Sequence, residues 1–425
     1  MRYLIDGCYG DANVGDECLL QAIVRMVRAA EPDAQIAAFS SDAKQTAEET
    51  GLETVEQCNP FGRNIYGSLV KGLLWRTIEA IRECDVFILG GGELFRDSTG
   101  LTATLGMFYR LLLAKWYGKR VLALGVGCQP ATTAWGGFVL RRALRACDAI
   151  IFRDADSRTV AERIAPQLAD GQCRPDLVFS LDWRRIREAA RCATSADSAS
   201  GELSPADGAE PARRPRIGIA LKSLPSRHVC GDAVNHQLPR RLAAALLTFA
   251  RRNVCEFDVL PFADADVAAA DRLREQLRAD GLHVVDAAAP RISELQTRIA
   301  RLDTLLAVPL HASVFGIACG VPSIGLAYDK KIPRLYQNFD LNEFCLDVNT
   351  ATAAEIEQRL SSAFQQREQI GQRIREAAGE AQAAIRCATI NLLLAGQPAP
   401  TNKQSFEYPR LQPTTGRIHE SEAVA

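Results

Sequence analysis

Apolar residues along the chain alternate between short continuous runs and longer stretches with helical spacing. Short runs of the kind that form buried strands include residues 3–5, 86–89, 121–124, 217–221, 304–308 and 323–327. Between these runs, apolar residues recur every three or four positions, as they do from Leu19 to Val27, and this spacing predicts amphipathic helices. Strands that alternate with helices in this way predict mostly parallel sheets covered by helices on both faces.

The alternation occurs twice and is interrupted by a segment of different composition. Residues 1–189 predict an N-terminal Rossmann-like domain, and residues 216–350 predict a C-terminal Rossmann-like domain. Residues 190–215 are small and polar and contain proline and glycine, which predicts a flexible linker. The fold class expected from this pattern is α/β, with two Rossmann-like domains on parallel sheets that face each other across a cleft.

The remainder of the chain has two parts. Residues 351–395 are rich in Ala, Gln, Glu and Arg, and Thr352 with Glu355 has the spacing of a capping box, so we expect a helical segment there. Residues 396–425 combine proline with polar residues, which predicts a disordered tail.

A histidine and two lysines follow neighbouring predicted strands. His311 comes just after the run 304–308, and Asp329, Lys330 and Lys331 come after the run 323–327. The small apolar segment 312–319 suits a crossover helix, so these side chains would meet at one carboxyl edge, where open α/β sheets bind ligands. A helix N-terminus there would suit an anion. A half-buried structural histidine with solvated lysines is the alternative that residue types alone leave open.

Two glycine-rich loops follow predicted strands of the first domain. The loop 7–15 contains Asn13 and leads into Asp16, but its glycines lack the spacing of a dinucleotide-binding fingerprint. In the loop 90–93, Gly91 and Gly92 would let backbone donors meet a sugar or carboxylate beside Glu93, and tight packing is the alternative explanation.

Cationic side chains also end a strand in each domain. Arg153 follows the run 149–152 and can hold a carboxylate or phosphate with two hydrogen bonds, although a structural pair with Asp154 or Asp156 would also explain it. Lys222 holds the equivalent place in the second domain.

Composition excludes several classes of function. The net charge of −1 argues against nucleic acid as a partner, and no apolar run is long enough to span a membrane. The 13 cysteines are scattered without a CxxC pair, which favours buried thiols in a reduced cytoplasmic protein over disulfides or zinc. The first residues predict a strand and a turn, so they do not resemble a signal peptide, and no cluster typical of a metal site is visible.

Five segments together resemble the polysaccharide pyruvyltransferase family. They are GDANVGDECLL (10–20), FILGGGELFRD (87–97), ALGVGCQP (123–130), IFRDADS (151–157) and LHASVFGIACGVPSIGLAYDKK (310–331). The resemblance implies a fold like that of the B-type glycosyltransferases. It also implies that phosphoenolpyruvate is a co-substrate, that no cofactor or metal is needed, and that a sugar diol becomes a cyclic pyruvate ketal with release of phosphate.

The matching positions also imply roles for individual residues. His311 looks like the catalytic acid/base, and Arg153 and Lys331 look like cations that bind the donor. Asn13, Asp16, Gly91, Gly92 and Glu93 look like elements that bind the acceptor. The family commonly has an arginine where this chain has Pro309, so Lys330 or Lys222 would have to supply that anion contact.

The expected acceptor is a polysaccharide or a lipid-linked saccharide. We expect a cytoplasmic protein, and peripheral contact with the inner face of the membrane is left open. Two alternatives also stay open. One is a nucleotide-sugar glycosyltransferase of the same fold, although residues 312–319 lack the glutamate that retaining members usually carry there. The other is a non-catalytic glycan-binding relative, which Pro309 would explain.

Overall fold

The first half of the chain forms a parallel seven-stranded sheet in this computed structural model, which describes residues 1–61, 71–166, 171–199, 213–224, 231–285 and 292–395. The strands are β1 (Arg2–Asp6), β2 (Gln35–Ser40), β3 (Glu53–Glu56), β4 (Val86–Phe95), β5 (Arg120–Cys128), β6 (Ala149–Phe152) and β7 (Gln172–Cys173). Their order in the sheet is β3-β2-β1-β4-β5-β6-β7. The strand order therefore reverses between β1 and β4, where a crevice opens at the carboxyl edge.

Helices cover both faces of this sheet. They are α1 (Val14–Ala30), α2 (Ala43–Thr50), α3 (Leu73–Glu83), α4 (Leu101–Trp116), α5 (Ala134–Ala146), α6 (Ala155–Ile164) and α7 (Trp183–Ala199). Ile88 belongs to the buried cluster that contains α1, whereas its neighbour Phe87 belongs to the cluster that contains Phe108 of α4. Because both faces are buried, the strands are apolar at consecutive positions.

A second, five-stranded parallel sheet follows. Its strands are β8 (Arg216–Leu221), β9 (Glu256–Pro261), β10 (Thr304–Ala307), β11 (Ser323–Ala327) and β12 (Cys345–Asp347), in the order β12-β11-β10-β8-β9. Its helices are α8 (Gly231–Ala250), α9 (Asp264–Ala279), α10 (Ile292–Ala300), α11 (Leu310–Cys319) and α12 (Lys331–Asn338). The order reverses here between β8 and β10. The predicted α/β class with two Rossmann-like domains on parallel sheets is confirmed.

The two domains contact each other through the start of α1. The backbone N–H of Val14 donates to the carbonyl of Phe262 at 3.0 Å, and Asn13 forms an antiparallel bridge with Ala263. This contact joins the loop after β1 to the segment after β9, so the carboxyl edges of the two sheets face each other.

The last two helices connect the domains a second time. Helix α13 (Ala353–Gln365) begins with the predicted capping box, in which Thr352 and Glu355 cap each other. Helix α14 (Arg367–Leu394) packs against α1 and against a 3-10 turn at Leu177–Ser180. The predicted tail at 396–425 lies outside the described residues.

Several predicted boundaries are wrong. The sequence also predicts a helix over residues 66–82. This helix begins at Leu73 as α3, and residues 66–70 lie outside the described ranges. The loop predicted at 90–93 is part of β4, whose pairing with β5 becomes irregular between Gly92 and Phe95. The sequence further predicts a weak strand at 283–285, where the structure has a single bridge between Val284 and Phe257. Strands β3, β7 and β12 and helix α12 were not predicted.

The predicted linker also begins too early. Residues 190–199 continue α7, and residues 200–212 lie outside the described part of the chain. Trp183 packs on Phe315 with ring centroids 5.3 Å apart, and Ala190 is buried on the same side of the helix. This apolar face extends the helix further than the small, polar composition suggested.

Candidate active site

A cleft of about 270 Å³ lies between the carboxyl edges of the two sheets. The loop after β1 and the end of β4 line it on one side, and the residues after β8, β10 and β11 line it on the other. These segments flank the point of reversed strand order in each sheet, which is where ligands bind in open α/β folds. Eight of the ten predicted site residues line the cleft: Asn13, Asp16, Gly92, Glu93, Arg153, Lys222, His311 and Lys331.

His311 is the second residue of α11, whose N-cap is Pro309, and it therefore lies inside the helix that was expected to follow it. Its ring packs against Gly15 of the other domain so closely that a Cβ on Gly15 would lie 1.9 Å from Nδ1. The Nε2 atom is buried and has no hydrogen-bond partner among the residues described. The imidazole is therefore held between the domains with one nitrogen available to a ligand.

The environment of His311 favours the neutral imidazole. Burial lowers the pKa of His311, and the positive charges of Arg153 and Lys222 lower it further. The carboxylates of Asp176 and Asp16 act in the opposite direction without overcoming burial. A bound anion would add to their effect and raise this pKa.

Arg153 and Lys331 both pair with Glu93. Arg153 is only 8% exposed, and its Nη2 lies 3.6 Å from the Glu93 carboxylate while its Nε contacts Asp154 at 3.3 Å. Lys331 forms an ion pair with the other oxygen of Glu93 and lies 3.9 Å from Asp329. Burial would raise the pKa of Glu93, but Lys331 and Arg153 outweigh burial and hold it below its ordinary value.

The two remaining predicted donor contacts differ in position. Lys222 lines the cleft and lies over the ring of Tyr328, with 5.5 Å between Nζ and the centroid. Lys330 is exposed at the N-cap of α12 and does not line the cleft, contrary to the prediction. Of the two lysines expected to supply an anion contact in place of the family's arginine, only Lys222 therefore lies at the cleft.

Of the residues predicted to bind the acceptor, all except Gly91 line the cleft. Asn13 caps α1 and also donates from Nδ2 to the Asp16 carboxylate at 2.7 Å. Burial raises the pKa of Asp16, although His311 and Arg153 oppose the rise. Gly92 lines the cleft near Asp16, with a φ of 81°. Gly91 instead packs against Leu19, where an added Cβ would lie 2.7 Å away, so its glycine is needed for packing and backbone conformation.

Sequence reasoning missed other residues of the site. Asp176 is buried as the cap of the 3-10 turn, and its charge is the strongest of those that act on His311. Its only sequence signal is an aspartate directly before the apolar run 177–179. Arg96, Tyr328 and Asp266 also line the cleft, and Arg96 lies within one of the quoted motifs.

A family model described as polysaccharide pyruvyl transferase matches residues 13–330. The chain belongs to the polysaccharide pyruvyl transferase family. This is a family of transferases, and the matched segment contains His311, Arg153 and the residues predicted to bind the acceptor. A sequence search of curated proteins finds no match.

Solved structures resemble this member of the polysaccharide pyruvyl transferase family in fold. The UDP-GlcNAc 2-epimerase from Neisseria meningitidis bound to UDP-GlcNAc matches with a TM-score of 0.62 and 9% identity, over 93% of this chain and 100% of that one. HepE from Anabaena in complex with UDP and glucose matches with a TM-score of 0.57 and 12% identity, over 93% of this chain and 100% of that one. A glycosyltransferase from Rickettsia africae matches with a TM-score of 0.58 and 10% identity, over 93% of this chain and 99% of that one. Such low identities show the fold alone, which is the glycosyltransferase-B type.

Two features were sought among the described residues of this polysaccharide pyruvyl transferase family member, a membrane-spanning helix and a group of metal ligands. Within them, no helix has both the length and the apolar character needed to cross a bilayer. They hold no group of three or more His, Cys, Asp or Glu that could bind a metal ion.

Proposed function

We propose that this protein transfers the pyruvyl group of phosphoenolpyruvate to two hydroxyls of one sugar, in a polysaccharide or a lipid-linked glycan precursor. The products would be a cyclic ketal and phosphate. The observation that carries the proposal is the buried, unpartnered Nε2 of His311, which shares a cleft with Arg153, Lys222 and Lys331. Membership of the family supports the same reaction class.

The donor carries a carboxylate and a phosphate, so its site needs several fixed cations. Arg153 offers a rigid guanidinium, and its Nη2 has no hydrogen-bond partner among the described residues. Lys222 and Lys331 present ammonium groups from the second domain. The first turn of α11 adds backbone N–H groups beside His311, which favour an anion without a metal ion.

The proposed proton transfers use one imidazole twice. Binding of the anionic donor would raise the pKa of His311 and favour the imidazolium. The imidazolium would then protonate C3 of the enol, which makes C2 electrophilic. One sugar hydroxyl would attack C2 and give its proton to the neutral imidazole, and the second hydroxyl would displace phosphate, which leaves with the second proton. Histidine suits both steps because its ordinary pKa lies near neutrality.

The acceptor would bind on the side of the first domain. Asp16 and Asn13 present a carboxylate and an amide group to the cleft, and Glu93 lies beside the cations. Hydroxyl groups of a sugar can donate to these oxygens, which would orient a vicinal or 1,3-related pair of hydroxyls toward the donor.

The test measures phosphate released from phosphoenolpyruvate in the presence of β-linked ManNAc, galactose or glucose acceptors, each offered both as the neutral saccharide and as a conjugate that carries a phosphate or a carboxylate. His311→Ala should lower kcat roughly a hundredfold or more, because general acid/base catalysis is lost. His236→Ala is a matched control, since His236 is exposed on α8, and its activity should equal that of the wild type. Thermal melting of both variants checks that the fold is retained.

The same experiment can contradict the proposal. Absence of phosphate release with every acceptor, or full activity of His311→Ala, would rule out this reaction or this role of the histidine. A thermal shift with UDP or GDP and none with phosphoenolpyruvate would instead favour a nucleotide-sugar glycosyltransferase.

A further inference from the structure

Arg96 is a further cation of the cleft, and it differs from Arg153 and Lys331 in its surroundings. Arg153 and Lys331 both pair with Glu93, whereas no carboxylate among the described residues forms an ion pair with Arg96. Its Nε is buried and has no hydrogen-bond partner within the same residues. The guanidinium therefore lines the cleft without an ion-pair partner among the described residues.

The backbone that carries Arg96 is firmly anchored. The next residue, Asp97, is 5% exposed, and its carboxylate accepts hydrogen bonds from the backbone N–H groups of Thr132 at 2.8 Å and Thr133 at 2.9 Å. The Thr133 hydroxyl also donates to Asp97 at 3.1 Å. Because these bonds join the end of β4 to the start of α5, they hold the backbone next to Arg96 in place.

An anion would complete the surroundings of this arginine. A guanidinium nitrogen that is buried without an acceptor has lost its hydration and gained nothing in return, which is unfavourable. The planar donor fork of arginine matches the oxygens of a phosphate or a carboxylate, to which it can make two parallel hydrogen bonds.

Arg96 is separate from the donor cations. Its charge acts on the thiol of Cys8 in the loop after β1, where it partly opposes the rise in pKa that burial causes. The cations that act most strongly on His311 are Arg153 and Lys222. Arg96 follows β4, which is the neighbour of β1 in the sheet, whereas Arg153 follows β6, and β5 separates β6 from β4. Arg96 therefore lies next to the loop after β1 that brings Asn13 and Asp16 to the cleft, on the side where the acceptor is expected.

We propose that Arg96 forms an anion subsite for the acceptor, so that the acceptor carries a phosphate or a carboxylate close to its reacting diol. This inference rests on the proposed function, since it assigns the acceptor to this side of the cleft. Arg96 would select anionic acceptors over neutral sugars and would make no contact with phosphoenolpyruvate.

The test is calorimetric titration of the full chain with two probes, inorganic pyrophosphate and glucuronate, in the presence of saturating phosphoenolpyruvate. The two probes distinguish a phosphate from a carboxylate as the anion. We expect at least one of them to bind the wild type, and Arg96→Gln to weaken that binding roughly tenfold or more. Arg142→Gln, which changes an exposed arginine on α5, should leave it within about twofold, as should Arg96→Gln for phosphoenolpyruvate itself.

The Arg96→Gln variant should fold normally, because the Arg96 side chain makes no hydrogen bond or ion pair within the described residues. Failure of both probes to bind the wild type would overturn the proposal, and so would equal binding by Arg96→Gln. Loss of phosphoenolpyruvate affinity in Arg96→Gln as large as in Arg153→Gln would move Arg96 to the donor site and overturn it too. If the wild type does not bind phosphoenolpyruvate, the proposed function fails, and titration of the probes alone still tests the anion subsite.

Discussion

Replacement of Glu17 by glutamine would remove a buried ionisable group from the junction of the two domains. Glu17 lies in the first turn of α1 and is 5% exposed. Its Oε1 accepts a hydrogen bond from the backbone N–H of Gly10 at 2.6 Å, while Oε2 is buried and has no partner among the described residues. Glu17 lines a small cavity at this junction, together with Glu49 of the first domain and Phe262 of the second.

The pKa of Glu17 gives the size of the expected effect. Burial raises it from 4.5 to about 7, the Gly10 hydrogen bond opposes the rise, and nearby carboxylates such as Glu49 add to it. Because its pKa is raised, Glu17 still holds its proton in the folded state at pH values where the unfolded chain has released it. The contribution of Glu17 to the free energy of unfolding is therefore fully present below pH 4.5 and is lost as the pH rises through about 7. At about 1.4 kcal/mol per pKa unit, the loss between pH 5 and pH 8 is about 2–3 kcal/mol.

Glutamine keeps an acceptor for Gly10 and cannot ionise. The free energy of unfolding in urea is measured for both proteins at each pH. We expect the value for Glu17→Gln minus that for the wild type to increase by about 2–3 kcal/mol as the pH rises from 5 to 8. Glu48→Gln changes an exposed carboxylate on α2 and is the control, with no such gain. Parallel pH profiles for Glu17→Gln and the wild type would refute the reasoning, because they would mean that Glu17 ionises without cost in the folded state.

Two further substitutions test the packing around the cleft. Gly15→Ala would place a Cβ 1.9 Å from Nδ1 of His311. It should lower phosphate release roughly a hundredfold by displacing the imidazole, whereas Gly379→Ala, where a Cβ meets nothing within 4 Å, should leave activity unchanged. Arg110→Ala would leave Asp6 as an unpaired buried charge after losing contacts of 2.8 and 3.0 Å. Arg110→Ala should lower the free energy of unfolding in urea by about 3–5 kcal/mol. A decrease below about 1 kcal/mol would contradict the account of Asp6 as a buried, paired charge.

The parallel strands and their edge were predictable because their signals are local. Buried strands give continuous apolar runs, and the carboxyl ends of parallel strands share one edge, so His311 and Lys331 could be placed together from the sequence. The capping box at Thr352 is likewise encoded within four residues. Short strands such as β7 were missed because two residues carry no periodicity.

Contacts between distant segments were not predictable in the same way. Asp176 affects His311 although 135 residues separate them, since the 3-10 turn that Asp176 caps packs against α11. Gly91 and Gly92 are adjacent and identical in type, yet only Gly92 lines the cleft while Gly91 packs against Leu19. The direction of each glycine depends on the course of β4, which residue type does not reveal.

The pairing of charges across the cleft links the two domains to the proposed chemistry. Glu93 of the first domain pairs with Lys331 of the second and with Arg153, while the His311 ring of the second domain packs on Gly15 of the first. Neither domain alone holds the imidazole together with Arg153, Lys222 and Lys331. A dianionic donor would compete with Glu93 for two of those cations, because opposite charges at this separation interact strongly away from bulk water. Donor binding would therefore free the Glu93 carboxylate to accept a hydrogen bond from an acceptor hydroxyl, which orders the two substrates with the donor first.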